Sequence, residues 1–391
     1  MAGTWIPTRR KVATLRLLRL VGAPIAALAR RFLIRRATAW PPRRILVIDP
    51  WHLGDVVLAS AALVALRRAW PNAHLALLAK PPARELLAYS GAADEFVDVD
   101  LPWTAFTSKY RLTRYRPAAI LRLVRRLRAG RFDLTVDARG DLRSDVVSFL
   151  SGAPRRAGLD NPGAFLLTHR APPPPPHSHK VDDWMAVLRA AGVPDPRGEP
   201  TLCVTAAERT AAARTLESLG VRPDERVVGV HVGASHPVKR WGTDKFAAVA
   251  DALAERHGAR ILVLVDPDGA GAGLPTRAPA IFVRPTLREL LALISRCELL
   301  VCNDSGPMHF AAALGVPVVA VVTSGTKEWY GPRGEGHVLV EAPGLSCRPC
   351  YNACRFAEPY CNTRVEVSTV RDAAMAQLAR GAPPVGAISS D

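Results

Sequence analysis

Residues 45–70 have the sequence ILVIDPWHLGDVVLASAALVALRRAW. The apolar run at 45–48 is short and continuous, as expected for a strand buried inside a parallel sheet. From Val56 to Ala69 the apolar residues recur at helical spacing, and Trp70-Pro71-Asn72 ends the pattern. A buried strand that leads through a short polar loop into a helix is the repeating unit of α/β proteins, so this stretch predicts an α/β fold.

The alternation of strand and helix continues through both halves of the chain. Further strands are predicted at 74–79, 95–99, 134–136, 227–232, 261–265, 299–302 and 316–322, and helices at 121–127, 184–191, 244–256 and 287–297. Thr243 is the expected N-cap of the helix at 244–256, and Thr286 with Glu289 has capping-box spacing. The pattern predicts two Rossmann-like, doubly wound domains facing a central cleft, with ligands at the carboxyl ends of the strands.

The domain limits follow from composition. Gly192–Gly198 is rich in turn formers and is the predicted linker. We therefore expect a basic N-terminal arm, a first domain, a second domain and a flexible tail, at 1–44, 45–195, 196–378 and 379–391.

The net charge of +17 is concentrated at the N-terminus. Residues 1–44 contain eleven Lys and Arg and no acidic residue, which leaves +6 for residues 45–391. So mild a charge on the body does not indicate a nucleic-acid partner. The basic, Leu-rich residues 9–20 favour an arm that lies on an anionic membrane surface; a solvated, partly disordered leader is the alternative.

Two polar residues after the strand at 45–48 are candidates for chemistry. Asp55 stands where the loop becomes a helix, so it is either an N-cap or a general base that takes a proton from an attacking hydroxyl. His52 either assists Asp55 or binds the acceptor molecule that carries the attacking hydroxyl. The alternative is that it is an ordinary loop residue.

Two arginines follow the strand at 134–136. Arg139 and Arg143 suit an anionic acceptor, and an internally salt-bridged loop over Asp137–Arg143 is the alternative.

The second half carries a cationic loop and a helix start. Lys239 follows the strand at 227–232 and suits a diphosphate leaving group; an ordinary surface lysine is the alternative. Asp266, at the end of the strand at 261–265, is a candidate for holding a ribose.

Residues 304–309, DSGPMH, predict an anion-binding helix start. Pro307 suits the first helical position, and the free N–H groups of the first turn attract phosphate. Asp304, Ser305, Gly306 and His309 are therefore candidates for binding a nucleotide sugar. The alternative is that Asp304 and Ser305 only cap the helix.

Four cysteines are clustered as C-x2-C-x3-C-x6-C: Cys347, Cys350, Cys354 and Cys361. This spacing suits a structural zinc ion or iron–sulfur cluster, and disulfides or free thiols are the alternatives.

In combination these motifs resemble glycosyltransferase family 9, the heptosyltransferases of the lipopolysaccharide inner core and their relatives. The matching pieces run in the family's order from about residue 44 to 375: Leu53–Leu58, Asp133, Asp137–Ser144, Lys239–Trp241, Asn303–His309 and the cysteine cluster with Pro349. Asp49 stands where the family often has a basic residue, and Ser60 and Gly242 stand where it often has proline.

The resemblance implies a GT-B fold and an inverting transfer that needs no catalytic metal or other cofactor. It assigns the base to Asp55, the leaving-group cation to Lys239 and the donor loop to Asp304, Ser305, Gly306 and His309. It also implies an N-terminal acceptor domain, a C-terminal nucleotide-sugar domain, and a last helix, 370–378, that crosses back to the first domain.

The expected reaction moves a sugar, heptose from ADP-heptose by resemblance, onto a lipopolysaccharide-core or related glycolipid or polysaccharide acceptor. The expected location is cytoplasmic, peripheral on the inner face of the bacterial cytoplasmic membrane. A GT-B-type nucleotide-sugar epimerase and a non-catalytic basic adaptor for membrane or nucleic acid are the alternative functions.

Overall fold

The structure, a computed structural model, describes residues 20, 22–24, 26–28, 34, 40–104, 116–161, 164–350 and 354–380. The chain divides into two compact units, Met1–Thr201 and Leu202–Asp391. Most of the predicted basic arm, and the predicted tail from residue 381 onward, lie outside the described residues.

Within the described residues, the first unit is built on a parallel sheet of six strands. In chain order the strands are β1 (Arg44–Ile48), β2 (His74–Ala79), β3 (Glu95–Asp98), β4 (Leu134–Asp137), β5 (Arg155–Leu159) and β6 (His169–Ala171). Across the sheet the order is β3-β2-β1-β4-β5-β6, and neighbouring strands are parallel. The connections change direction between β1 and β4, so a topological switch point lies at the carboxyl ends of these two strands.

Helices cover both faces of this first sheet. They are α1 (Leu53–Ala69), α2 (Pro82–Leu86), α3 (Pro117–Ala129), α4 (Leu142–Leu150) and α5 (Lys180–Ala190). Leu46 and Ile48 of β1 share a core cluster with Leu127 of α3. Because side chains alternate along a strand, Ile45 and Val47 point to the other face, and both are fully buried. Burial on both faces explains why the β1 sequence is continuously apolar.

The described part of the second unit repeats this arrangement. Its six strands are β7 (Val227–His231), β8 (Arg260–Leu264), β9 (Ala280–Val283), β10 (Leu299–Asn303), β11 (Val318–Val322) and β12 (His337–Glu341). The parallel sheet has the order β12-β11-β10-β7-β8-β9. The first strand of the unit is again central and lies beside the fourth, so the switch point falls between β7 and β10.

The helices of the second unit are α6 (Ala206–Ser218), α7 (Thr243–His257), α8 (Leu287–Ile294), α9 (Gly306–Ala313), α10 (Lys327–Tyr330), α11 (Tyr360–Thr363) and α12 (Val367–Arg380). Leu253 of α7 and Val370 of α12 lie in one core cluster with Val230 of β7. The last helix therefore packs within the second unit; that it also crosses back to the first stays a prediction.

The two parallel six-stranded sheets confirm the predicted α/β class. The division falls after Thr201, six residues beyond the predicted limit at 195. The Thr201 N–H donates to Ser60 Oγ at 2.9 Å, which ties the end of the linker to α1. A side chain at Gly198 would meet the carbonyl oxygen of Ala61 at 2.0 Å, so only glycine fits there. The linker is thus bound to the first unit.

Several local predictions need correction. The N-cap of α7 is Gly242 rather than Thr243. Gly242 has a φ of 116°, which proline, the residue common in the family here, cannot adopt. The helix predicted at 287–297 ends at Ile294. Strands β5, β6, β9 and β12 and helices α2, α4, α6, α10 and α11 had no prediction. β6 has only three residues and α6 buries only two side chains, too little for a clear apolar pattern.

Among the described residues, none of the helices combines the length and the apolar character that a membrane span requires.

Candidate functional site

The two switch points collect the charged residues that the sequence singled out. In the first unit, β1 leads into the loop before Asp55 and β4 leads into the loop with Arg139. In the second unit, β7 is followed by Lys239 and β10 by Asp304. Open α/β sheets bind ligands at such positions, so each unit has its own candidate site.

Asp55 is the third residue of α1, and His52, not Asp55, is the N-cap. The His52 N–H donates to Asp55 Oδ2 at 3.3 Å, so the carboxylate belongs to a capping box. Its other oxygen, Oδ1, lies 3.4 Å from Nη1 of Arg139. The capping contact and the ion pair orient a carboxylate whose side chain is 19% exposed and therefore reachable.

A pocket of about 300 Å³, counting its open mouth, lies beside Asp55 within the first unit. Besides Asp55 and Arg139, its lining includes Asp49, Asp137, Lys180, Trp51 and Trp184. The Lys180 ammonium is held by the Asp183 carboxylate. Carboxylates, cations and aromatic rings together suit a polyhydroxylated ligand.

Two acids of this pocket are buried. Burial raises the pKa of Asp49 well above its usual value, and the nearby Asp55 carboxylate adds to the rise. Burial also raises the pKa of Asp137 to about 7, although its Oδ1 accepts the Arg139 N–H at 2.8 Å. Protons held by these acids reduce the negative charge beside Asp55.

The two predicted acceptor arginines have different surroundings. The Arg139 guanidinium lies 4.2 Å from the ring centre of Trp51, a cation–π contact at the pocket wall. Arg143 hydrogen-bonds to the carboxylate of Asp141, the N-cap of α4, as in the salt-bridged alternative. No role was assigned to Trp51 from the sequence. It could have been identified as a site residue because it follows a buried strand and the Asp49-Pro50 pair directly.

In the second unit, Lys239 Nζ lies 2.9 Å from Asp304 Oδ2. These side chains are 65 residues apart in sequence and are 21% and 10% exposed. Lys239 ends a short 3-10 helix, Pro237–Lys239, whose N-cap His236 accepts the Val238 N–H through Nδ1. The cation is thus held at the site edge and is not an isolated surface lysine.

Asn303 explains why these two residues meet. This fully buried amide accepts the Trp241 N–H at 3.1 Å and donates to the Val232 carbonyl at 2.8 Å. It therefore binds both ends of the loop that carries Lys239. The sequence placed Asn303 in a motif but assigned it no role; a buried amide at the last position of a strand was the signal.

The start of α9 has the character of an anion site. Ser305 is the N-cap, but its side chain makes no capping bond and its hydroxyl donates to the Asn303 carbonyl at 3.3 Å. The helix begins at Gly306, so Pro307 is its second residue, one later than expected. His309 is buried one position beyond the first turn. Within the first turn, Pro307 has no N–H and the Met308 N–H donates to the Ser305 carbonyl at 3.1 Å. Because the Ser305 side chain does not cap the helix, the Gly306 N–H keeps its capacity for an anion at this helix start.

Asp266 follows β8, the neighbour of β7. Its Oδ1 lies 2.8 Å from Nε2 of the buried His231, which orients the carboxylate. The backbone at Gly233 passes so close that an added Cβ would lie 1.6 Å from Asp266 Oδ2. The predicted ribose-binding acid is therefore held at the same edge of the second sheet.

Among the residues that the structure describes, none of the four clustered cysteines forms a disulfide bond, and of the four Cys361 is the buried one. Burial raises the pKa of Cys361 to about 11, and the nearby thiols of Cys350, Cys354 and Cys347 add to this rise. In the described part of the chain, no three His, Cys, Asp or Glu side chains are arranged to hold a metal ion. Residues 351–353, inside the cluster, lie outside that part. A structural metal here stays a prediction.

Comparison with known proteins gives a consistent result. The family model described as glycosyltransferase family 9 (heptosyltransferase) matches residues 120–360. Lipooligosaccharide heptosyltransferase 2 of Haemophilus influenzae is 23% identical over 321 residues, which cover 76% of this chain and 88% of that protein. Lipopolysaccharide heptosyltransferase 2 of Escherichia coli K12 is 26% identical over 309 residues, covering 74% and 83%.

Two solved structures have the same fold. A glycosyl transferase family 9 protein from Veillonella parvula superimposes with a TM-score of 0.75 at 23% identity, covering 88% of this chain and all of that one. ADP-heptose lipopolysaccharide heptosyltransferase II of Escherichia coli gives a TM-score of 0.66 at 21% identity, covering 86% and 99%. Both are similar to this chain in fold.

Proposed function

Because the chain belongs to glycosyltransferase family 9, we propose that it transfers heptose from ADP-heptose, with inversion, onto a lipopolysaccharide-core or related glycolipid acceptor. The chain is a glycosyltransferase of GT-B fold. The observation that carries the finer proposal is the placement of two charged pairs, Asp55–Arg139 and Lys239–Asp304, at equivalent switch points of two equivalent sheets. The names of the relatives support the donor and the acceptor.

Asp55 acts as the general base in this proposal. It takes the proton of the acceptor hydroxyl while that oxygen attacks the anomeric carbon from the face opposite the diphosphate. One glycosidic bond forms, the bond to the diphosphate oxygen breaks, and the nucleoside diphosphate leaves with the electron pair. His52 and Arg139 hold the Asp55 carboxylate and contribute to acceptor binding; the proposal extends this binding role to Arg143.

Lys239 and the first turn of α9 neutralise the charge of the leaving diphosphate, so the transfer itself calls for no metal ion. Asp304 positions the Lys239 ammonium and accepts hydrogen bonds from hydroxyls of the donor sugar. Ser305, Gly306 and His309 bind the phosphates of the donor. The Asp266 carboxylate, oriented by His231, accepts hydrogen bonds from the ribose hydroxyls.

We further propose that residues 1–44 hold the enzyme on the inner face of the bacterial cytoplasmic membrane. The eleven cations and the absence of acids in this segment support an anionic surface as the partner. Replacing its arginines and lysines by glutamine should release the enzyme from the membrane fraction of lysed cells; unchanged sedimentation would contradict this role.

The base role is tested by Asp55→Asn. Asparagine keeps an oxygen for the capping contact but removes the basic carboxylate, so we expect transfer to fall roughly 10²- to 10⁴-fold. Donor affinity, measured by calorimetry with ADP-heptose, should stay unchanged. Asp160→Asn, a partly exposed acid of the same unit, is the matched control. Wild-type turnover by Asp55→Asn would exclude the base role.

The leaving-group role is tested by Lys239→Ala, with Lys327→Ala of the same unit as control. Affinity for ADP should fall about tenfold or more in the first variant only, because one cation facing the diphosphate is lost. Equal ADP affinity in both variants would refute the assignment. A panel of nucleotide sugars, with mass analysis of the product on a lipid acceptor, identifies the donor.

A further inference from the structure

Helix α3 and its flanking residues carry an unusual concentration of charge. Residues 116–131 contain six arginines and no acid: Arg116, Arg122, Arg125, Arg126, Arg128 and Arg131. Residues 45–391 carry a net charge of +6, so this segment of sixteen residues accounts for all of it. The rest of residues 45–391 therefore carries no net charge.

The same helix exposes apolar side chains. Leu127 is the one residue of α3 that is buried, and it anchors the carboxyl-terminal half of the helix to the core of the first unit. Toward the amino-terminal end, Ile120 is 40% and Leu121 is 49% exposed. The helix thus extends beyond the core that covers its other half, with leucine and isoleucine in contact with solvent.

The arginines of this helix divide into two groups. Arg126 donates to the Phe96 carbonyl at 2.8 Å and lies 3.8 Å from Glu95, so it belongs to the fold. Arg122 and Arg125 are exposed, and within the described part of the chain no hydrogen bond or ion pair engages either side chain. Their charge is not neutralised by the protein and is available to an external anion.

We propose that the α3 surface formed by Leu121, Arg122 and Arg125, which lie on the side of the helix opposite Leu127, docks on an anionic lipid bilayer. A bilayer offers phosphate head groups to Arg122 and Arg125 and an apolar layer to Leu121, which lies on the same side of the helix. Each cation near an anionic leaflet adds to the attraction, and a buried leucine adds the hydrophobic term.

The apolar residues distinguish a bilayer from other anionic partners. A nucleic acid binds arginines through its phosphates, but it gives no benefit for exposed isoleucine and leucine on a helix surface. The inference is independent of the transfer chemistry, because it concerns vesicle binding alone. It also concerns residues of the first unit that are not part of the segment 1–44.

The test measures co-sedimentation of the full-length protein with vesicles that contain one part phosphatidylglycerol to two parts phosphatidylcholine. Arg122→Glu/Arg125→Glu should weaken partitioning roughly tenfold or more. Leu121→Ser should weaken it about fivefold, because an inserted apolar side chain is lost. Circular dichroism and thermal unfolding establish that each variant is folded.

Helix α6 provides matched controls. Arg209 and Arg214 are exposed on it, and Leu219, directly after it, is 42% exposed. Arg209→Glu/Arg214→Glu changes the net charge as much as the α3 variant, and Leu219→Ser removes a leucine of similar exposure, 42% against 49% for Leu121. Both controls should bind vesicles within about twofold of the wild type if the effect belongs to α3.

Two results would overturn the inference. The first is equal weakening by the α3 and α6 charge reversals, since this attributes vesicle binding to net charge and the N-terminal arm. The second is wild-type binding by Leu121→Ser together with an equal loss of vesicle and duplex-DNA binding in Arg122→Glu/Arg125→Glu. Such a result would mean that the two arginines bind any polyanion and that the bilayer is not a specific partner.

Discussion

At the scale of single residues, the first unit holds acids that differ in character although they follow two adjacent strands. Asp55 is partly exposed and paired with Arg139, whereas Asp137 is buried with one oxygen bonded to a backbone N–H. The raised pKa of Asp137, about 7, follows from this burial. The sequence identified both positions as polar residues after strands, but burial and partners depend on distant side chains.

The pKa of Asp137 predicts a pH dependence of stability. A pKa that is raised from 3.8 to about 7 on folding means that the folded state binds the proton more tightly. The stabilisation is complete below the unfolded value and is lost as the pH rises through 7. Asp137→Asn, which cannot ionise, should therefore gain stability relative to the wild type between pH 5 and pH 8, by at most about 3 kcal/mol.

Urea unfolding at the two pH values measures this gain. Asp160→Asn, with a side chain that is 47% exposed, should show the same difference from the wild type at both. A pH-independent effect of Asp137→Asn would contradict the raised pKa.

At the scale of elements, segments with a clear apolar pattern were predictable and segments without one were not. Helix α1, with 17 residues, is long enough for its apolar spacing to be decisive, and the five-residue β1 is continuously apolar from Ile45 to Ile48. Strand β9 has four residues that are partly buried or exposed, so its pattern is weak. The three-residue β6 forms only because β5 offers a parallel edge for it. The conformation of such elements is determined by pairing with a neighbouring strand and not by the strand propensity of their own residues.

The loop between β12 and α11 carries the cysteine cluster, and its metal is a testable prediction. Burial and the three neighbouring thiols raise the pKa of Cys361, and a bound cation would favour its thiolate form. The full-length protein, purified without chelator, should contain about one zinc or iron per chain by elemental analysis. Cys347→Ser/Cys350→Ser should lose the metal and Cys203→Ser should keep it; equal metal content in both would argue for free thiols.

At the scale of the whole molecule, two units with the same strand order carry different chemistry at the same topological position. The candidate general base and the candidate acceptor-binding residues are in the first unit. The residues proposed to bind the diphosphate and the ribose of the donor are in the second. Addition of ADP should therefore slow amide hydrogen exchange at 232–242, at 266–274 and at the start of α9 in the second unit. The pocket residues 49–55 and 137–141 of the first unit should be unaffected.

Hydrogen exchange followed by mass spectrometry locates this protection. Lys239→Ala should reduce the protection at all three segments together, because the lysine and α9 bind the same diphosphate in the proposal. Protection confined to the first unit would place the nucleotide on the other sheet and reverse the assignment of donor and acceptor.

The sequence by itself determined the α/β class, the two sheets and the loops that carry Asp55, Lys239 and Asp304, because these depend on local apolar spacing and on residues next to strand ends. Only the tertiary structure decided which side chains meet. Arg139 reaches Asp55 across 84 residues, and Asn303 brings Lys239 to Asp304 by binding both ends of its loop. Strand order sets these contacts, and strand order is chosen by packing over the whole unit rather than by any one segment.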